Sequence, residues 1–170
     1  MRPDGPPDAG SPRDRGRSAM SRHPDTTRRI MSAVRNRDTK PELALRKALH
    51  GRGLRYRLRT ALPGKPDIVF GPAKVVVFVD GDYWHGNAWR TRGFESFDAY
   101  YGRGGNAPFW LAKIRRNIAR DLEVTATLTC AGWTVLRCWE SDIERDLSAV
   151  TDLVADAVRS DGPRLRTTAA

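Results

Sequence analysis

The chain has only two cysteines, Cys130 and Cys138, in 170 residues. That is too few for a disulfide framework and suits a reducing, cytoplasmic compartment. Long apolar runs are also missing, so no membrane span is expected. There is no internal repeat, which excludes solenoid and propeller arrays. The first twenty residues, "MRPDGPPDAGSPRDRGRSAM", almost lack large apolar side chains and hold no h-region. A secretory signal is therefore not expected, and residues 1–22 are read as a disordered basic, Pro/Gly-rich tail. The closing "DGPRLRTTAA" reads the same way over 161–170. The remaining stretch, 23–160, is one domain's worth of chain, long enough for a real core.

Acidic side chains are scarce in the first half. Between Arg22 and Arg59 there are twelve Lys or Arg against Asp25, Asp38 and Glu42. From Ser141 to Asp161 the balance reverses, with six acids against Arg145 and Arg159. The net charge of +10 thus has a direction. It favours a polyanion partner over a merely solvated surface.

The pattern of elements is mixed. "PDTTRRIMSAVR" has helical spacing, and "TKPELALRKALHG" predicts a helix capped by Thr39, with Glu42 three residues on and Gly51 at its end. "LRYRLR" (54–59) alternates as a half-buried strand. A short strand follows near 67–70, then "KVVVFVD". Residues 86–107 read as loop. A long helix carries Leu111, Ile114, Ile118 and Leu122 on one side, and "WTVLRCW" is another strand. Ser141 and Glu144 make a capping box for a last helix striped by Ile143, Leu147, Val150, Val154 and Ala157. The order ααβββαβα predicts an α/β domain whose sheet is flanked by helices.

Chemistry gathers where the central strand ends. Val75 to Val79 suit a sheet interior, yet Asp80, Gly81, Asp82, Tyr83, Trp84 and His85 follow directly. Asp67 sits at the mouth of the preceding strand. Carboxylates at corresponding levels of neighbouring strands can share a divalent cation, and Mg²⁺ needs only one or two of them. His85 lies within reach as a general base. Each signal alone is weak: Asp67 and Asp80 could mark turns, and a lone histidine is more often structural.

Taken together, "LPGKPDIVF", "KVVVFVDGDYWHG" and "FWLAKIRRNIARDLEVTATLTCAGWTVLRCWE" resemble the very-short-patch repair (Vsr) endonuclease family, from about Asp25 to Glu140. The resemblance implies a restriction-endonuclease-like fold of the PD-(D/E)xK type. It also implies a Mg²⁺-dependent enzyme that nicks one strand of double-stranded DNA beside a T:G mismatch left by deamination of 5-methylcytosine. By position, Asp67 matches the family's metal-binding aspartate and Val79 the residue whose carbonyl faces the metal. Asp80 matches the supporting residue beside it, and His85 the histidine of proton transfer. Glu42 matches a glutamate that approaches the site. Tyr83 and Trp84 match a pair inserted beside the mismatch, supported by Trp110, and Met31 a minor-groove wedge. Lys65, Arg115, Arg116 and Arg120 are candidates for phosphate contact.

The resemblance has one gap. The family's structural zinc ligands fall on Asp82, Asn87, Trp89 and Ser141, so no structural zinc is expected here. The family further implies a monomer in the nucleoid that hands its nick to mismatch-repair proteins and DNA polymerase I. A different nuclease of the same fold, restriction-like or nicking without need of a mismatch, is the competing expectation. A DNA-binding module without catalysis is the third.

Overall fold

The computed structural model describes residues 37–58 and 60–160, together with the backbone of 166–167. All of them lie in the compact unit Asn36–Ala170. The expected helix over 24–35, with Met31, and the expected tail over 1–22 lie outside the described residues.

Helix α1 (Lys40–Gly51) begins as its sequence predicts. The Thr39 side chain accepts the Glu42 N–H and the Glu42 carboxylate accepts the Thr39 N–H, closing the capping box. Strands β1 (Ile68–Phe70) and β2 (Val75–Asp80) form an antiparallel pair with Ile68 opposite Val77. Two short helices, α2 (Ala88–Thr91) and α3 (Phe97–Tyr101), occupy the stretch expected to be loop. The long α4 (Ala107–Cys130) then returns the chain to β3 (Thr134–Trp139), parallel to β2 with Val77 opposite Leu136. Helices α5 (Glu140–Arg145) and α6 (Leu147–Arg159) follow. Arg166–Thr167, inside the expected tail, pair with Leu136 and Arg137 as β4. The sheet order is β1-β2-β3-β4, a mixed α/β arrangement.

Alternation along β2 sorts the core into two layers, because successive side chains leave opposite faces of a strand. Val75 and Val77 pack with Leu45, Leu49, Ile143 and Val154, placing α1, α5 and α6 on one face. Val76 and Phe78 pack with Leu128 and Val135, and with Val124, placing α4 on the other. Asp80 follows Phe78 onto the α4 face. A third cluster, Ala88, Tyr100, Tyr101 and Ile114, roots α2 and α3 on α4.

Further expectations are corrected. The strand over 54–59 shrinks to one bridge, in which Arg57 and Val69 exchange backbone bonds of 2.8 and 3.0 Å. The ladder cannot extend because the Asp67 N–H turns to the Val77 carbonyl, and Gly71 already accepts the turn bond from Lys74. The last helix is two helices, broken at Asp146, whose side chain accepts the Ala149 N–H. Ser141 caps nothing, since α5 starts one residue earlier. Leu122, expected on the buried stripe of α4, is 67% exposed, while Leu128 is buried.

Candidate active site

Asp67 is set by the turn before it. Gly64 has φ +71°, and a Cβ there would meet Val124 Cγ1 at 2.5 Å, so the turn lies directly against α4. Lys65 follows with φ 56° and Pro66 delivers Asp67 to the edge of β2. Val79 lies two residues beyond Val77, the last β2 residue paired with β1, and its N–H donates to Asp67 Oδ2 at 2.8 Å, which takes the place of a strand neighbour. Burial pushes the Asp67 carboxyl up to about 6; the Val79 N–H and the charge of Arg46 oppose this, and the charges of Glu42 and Asp80 add to it. A buried carboxylate among other carboxylates is a place where a cation is favoured.

Glu42 is 2% exposed, but its oxygens are committed within its own helix. One takes the Thr39 N–H at 3.3 Å and the other an ion pair with Arg46. Arg46 also binds Asp38 Oδ1 at 2.6 Å and comes within 3.4 Å of the Asp67 carbonyl. Glu42 therefore acts on Asp67 through charge rather than contact.

Asp80, expected beside the metal, faces a guanidinium. Both of its oxygens are taken by Arg137, through Nε at 2.6 Å and Nη2 at 2.7 Å. Arg137 Nη2 also lies 3.1 Å from Asp121 Oδ1, and Asp121 Oδ2 meets His85 Nδ1 at 2.5 Å. His85 Nδ1 stands 3.6 Å from Asp80 Oδ1, too far for a hydrogen bond. Burial raises the Asp121 carboxyl, but the His85 bond and the charges of His85, Arg137 and Arg120 bring it below its ordinary value. An ionised Asp121 only accepts, so the His85 Nδ1–H donates to it, and among the described residues nothing bonds Nε2.

Asp121 and Arg137 were not among the expected site residues. A charged side chain inside a sheet strand is the signal for Arg137, because such a group is buried only when paired. Asp121 carries no comparable signal, being one acid in a basic helical run.

These groups line one cleft of about 820 Å³. Asp67, Val79, Asp80, His85, Asp121 and Arg137 border it, as do Lys65 and Arg120 of the expected phosphate contacts. Arg115 and Arg116 do not; Arg115 is exposed and pairs with Asp98 at 2.6 Å. Among the described residues no three His, Cys, Asp or Glu side chains converge as a closed metal cage requires. The donor set that does fit a cation is Asp67 with the neighbouring Val79 carbonyl, the sparse kind Mg²⁺ accepts.

The family described as DNA mismatch endonuclease Vsr matches residues 21–91. The chain is 44% identical over 137 residues to the type II nicking enzyme V.NmeDIP of Neisseria meningitidis serogroup C, covering 80% of this chain and 88% of that one. It is 43% identical over 133 residues to the type II nicking enzyme V.NaeI of Lentzea aerocolonigenes, covering 73% and 74%. It is 35% identical over 120 residues to the DNA mismatch endonuclease Vsr of Escherichia coli K12, covering 69% and 72%. The chain belongs to the Vsr endonuclease family. It is a DNA endonuclease.

Tyr83 and Trp84 stand on the same turn as His85, and Trp110 reaches them from α4. Tyr83 packs edge to face on Trp84 and Trp110, with centroids 5.1 and 5.9 Å apart, and Trp84 lies tilted against Trp110 at 6.0 Å. Tyr101 donates to the Tyr83 carbonyl at 2.7 Å and Asn117 to the Trp84 carbonyl at 3.0 Å, tying the turn to α3 and α4. Gly86 closes it with φ +86°; a Cβ there would meet Ile118 Cδ1 at 2.5 Å. Lys113 Nζ, not among the expected residues, lies 5.2 Å from the Trp84 ring and 5.4 Å from Trp110. Phe109 beside Trp110 is 51% exposed.

Of the four positions onto which the resemblance places zinc ligands, Asp82, Asn87 and Ser141 are joined by hydrogen bonds. Asp82 Oδ1 accepts from the Asn87 amide and from Ser141 Oγ at 2.8 Å, and Oδ2 accepts the Ser141 N–H at 3.1 Å. The Asp82 N–H donates to Glu140 Oε1 at 3.0 Å. Trp89 stands outside this set, under the Arg90 guanidinium. Cys138 is core, its thiol pushed up to about 12 by burial and by the charges of Asp80 and Asp142. Asp82→Ala would leave the buried Asn87 amide without its acceptor, at about 1–3 kcal/mol, and the half-buried N–H and hydroxyl of Ser141 without theirs, at a smaller cost. Urea denaturation should show a loss of about 2–4 kcal/mol. A change below about 0.5 kcal/mol, the size of an ordinary surface substitution, would mean that the cluster holds nothing together.

Proposed function

We propose that this Vsr-family endonuclease nicks one strand beside a T:G mismatch, the product of 5-methylcytosine deamination, and so starts very-short-patch repair. The observation that carries the reading is the turn 81–86, which holds the aromatic pair and the proton-accepting histidine as neighbours. Insertion of Trp84 then presents His85 to the adjoining phosphodiester. A mismatched step gives up its own stacking cheaply, so the same ring that recognises also positions.

The cation proposed for the site is Mg²⁺, held by Asp67 and the Val79 carbonyl. When bound it supplies charge stabilisation on the scissile phosphate. Asp121 holds the His85 Nδ1 proton, which leaves Nε2 to take a proton from the attacking water. Lys65 and Arg120 bind the flanking backbone through charge alone. No helix among the described residues is long and apolar enough to cross a membrane, and the reading places the enzyme with the nucleoid.

The test is nicking of T:G and matched duplexes of several sequence contexts, with and without Mg²⁺. Base–aromatic stacking is worth about 1–3 kcal/mol, so Trp84→Ala should reduce the T:G preference about tenfold or more. Residual cutting of matched DNA should change little. Equal rates on both duplexes for the wild type, or equal losses in the variant, would favour a nicking enzyme of the same fold that needs no mismatch.

A further inference from the structure

Arg137 occupies a place in β3 where an apolar residue would serve the fold. Leu136 and Cys138 on either side of it are fully buried, and its own side chain is 19% exposed. The guanidinium carbon lies 4.8 Å from the ring centroid of Phe78, its register neighbour on β2. Nη1 is buried with no hydrogen-bond partner among the described residues. An arginine kept with one donor unpaired is not there for packing alone.

Its other two nitrogens do specific work. Nε and Nη2 hold both oxygens of Asp80, and Nη2 reaches on to Asp121 Oδ1 at 3.1 Å. The opposite oxygen of Asp121 faces His85 Nδ1. The sequence of contacts is therefore Asp80, Arg137, Asp121, His85, drawn from β2, β3, α4 and the turn after β2. Arg137 is also common to the cleft and to an adjoining, mostly apolar cavity of about 450 Å³ that Trp89, Phe97 and Trp139 help to line. Around the His85–Asp121 pair, Asp80 from β2 and Glu140 from α5 act on His85, while Arg137 from β3 and Arg120 from α4 act on Asp121. Of the two cations, Arg120 is 63% exposed and 3.9 Å from Asp121, so water screens it.

We propose that Arg137 is the positioning residue of this nuclease, a buried cation that joins Asp80 to Asp121 and so holds Asp121 on His85 Nδ1. Without it two carboxylates would repel across the site, and Asp121 would be free to turn into the neighbouring cavity. The planar fork is needed, because a lysine ammonium is a point donor that cannot hold Asp80 at two atoms and still reach Asp121. The inference rests on the reading of His85 as proton acceptor, but not on the mismatch preference.

Single-turnover nicking of any duplex the wild type cuts tests it. Arg137→Met should slow the chemical step about ten- to a hundredfold, the range for losing a group that orients a catalytic ligand. DNA affinity should stay within about twofold, consistent with no phosphate contact being lost. Arg137→Lys should recover only part of the rate. Millimolar methylguanidinium should restore Arg137→Met and leave His85→Ala unchanged. Proton NMR of the wild type should show the far-downfield His85 Nδ1–H, which Arg137→Met loses and Arg137→Lys weakens. If Arg137→Met does not fold, the Lys variant's rate and ring-proton signal decide. Wild-type rate in either variant, a lost affinity with normal chemistry, or a slowed step with the ring-proton signal intact would overturn the proposal. A wild type that cuts matched and mismatched DNA alike would defeat the proposed specificity and leave this test readable.

Discussion

Asp67→Asn is expected to abolish nicking while making the metal-free protein more stable. Removing the carboxylate removes the charge that holds a cation, and several kcal/mol of charge stabilisation go with it. Nicking should fall by at least about a thousandfold, at about 1.4 kcal/mol per factor of ten. DNA affinity should stay within about threefold, because the aromatic turn, Lys65 and Arg120 are untouched. The stability effect has the opposite sign. The folded-state value of about 6 lies above the ordinary value of 3.8. The folded chain therefore binds this proton more tightly than the unfolded chain, and the contribution is fully present below about 3.8 and lost as pH rises through about 6. At pH 7 the asparagine variant should gain on the order of 1–3 kcal/mol in urea denaturation without divalent cations. Because proton and cation compete for Asp67, more Mg²⁺ should be needed for half-maximal nicking below about pH 6. Undiminished cutting by the variant would remove Asp67 from the active site.

His85→Ala should slow the chemical step under single turnover by about 10²- to 10⁴-fold, the usual worth of a positioned proton acceptor. Its affinity for DNA should change little, because Trp84 and Tyr83 remain anchored through their carbonyls by Asn117 and Tyr101. Added imidazole should return part of the rate. An affinity loss with normal chemistry would place His85 among the binding residues instead.

Local signals in the sequence survived into the structure where one element alone decides them. The Thr39–Glu42 box is closed within four residues, and "VVVFVD" is buried whichever strand lies beside it. Asp67 and His85 could be read because a short motif and its resemblance to the Vsr family fixed them together. Arg137 and Asp121 could not. Their meaning depends on α4 crossing the β2–β3 pair, which no window of sequence contains. The same reason accounts for the failed capping box: Ser141 has the right neighbours for a cap, but Asp82, 59 residues earlier, claims its N–H and hydroxyl. The strand expected at 54–59 had the right alternation and too little edge to pair with.

The spacing of the active-site contacts along the chain bears on when cutting competence appears as the chain folds. Asp67 and Val79 are 12 residues apart and joined by a short antiparallel hairpin, a loop that closes early. His85 must wait for Asp121, 36 residues on, and Asp80 for Arg137, 57 residues on, after α4 has formed and β3 has docked in parallel. A chain paused partway can form the Asp67–Val79 contact but not those that hold His85. The surroundings of His85 thus belong to the finished fold, whereas the Asp67–Val79 contact is local to one hairpin.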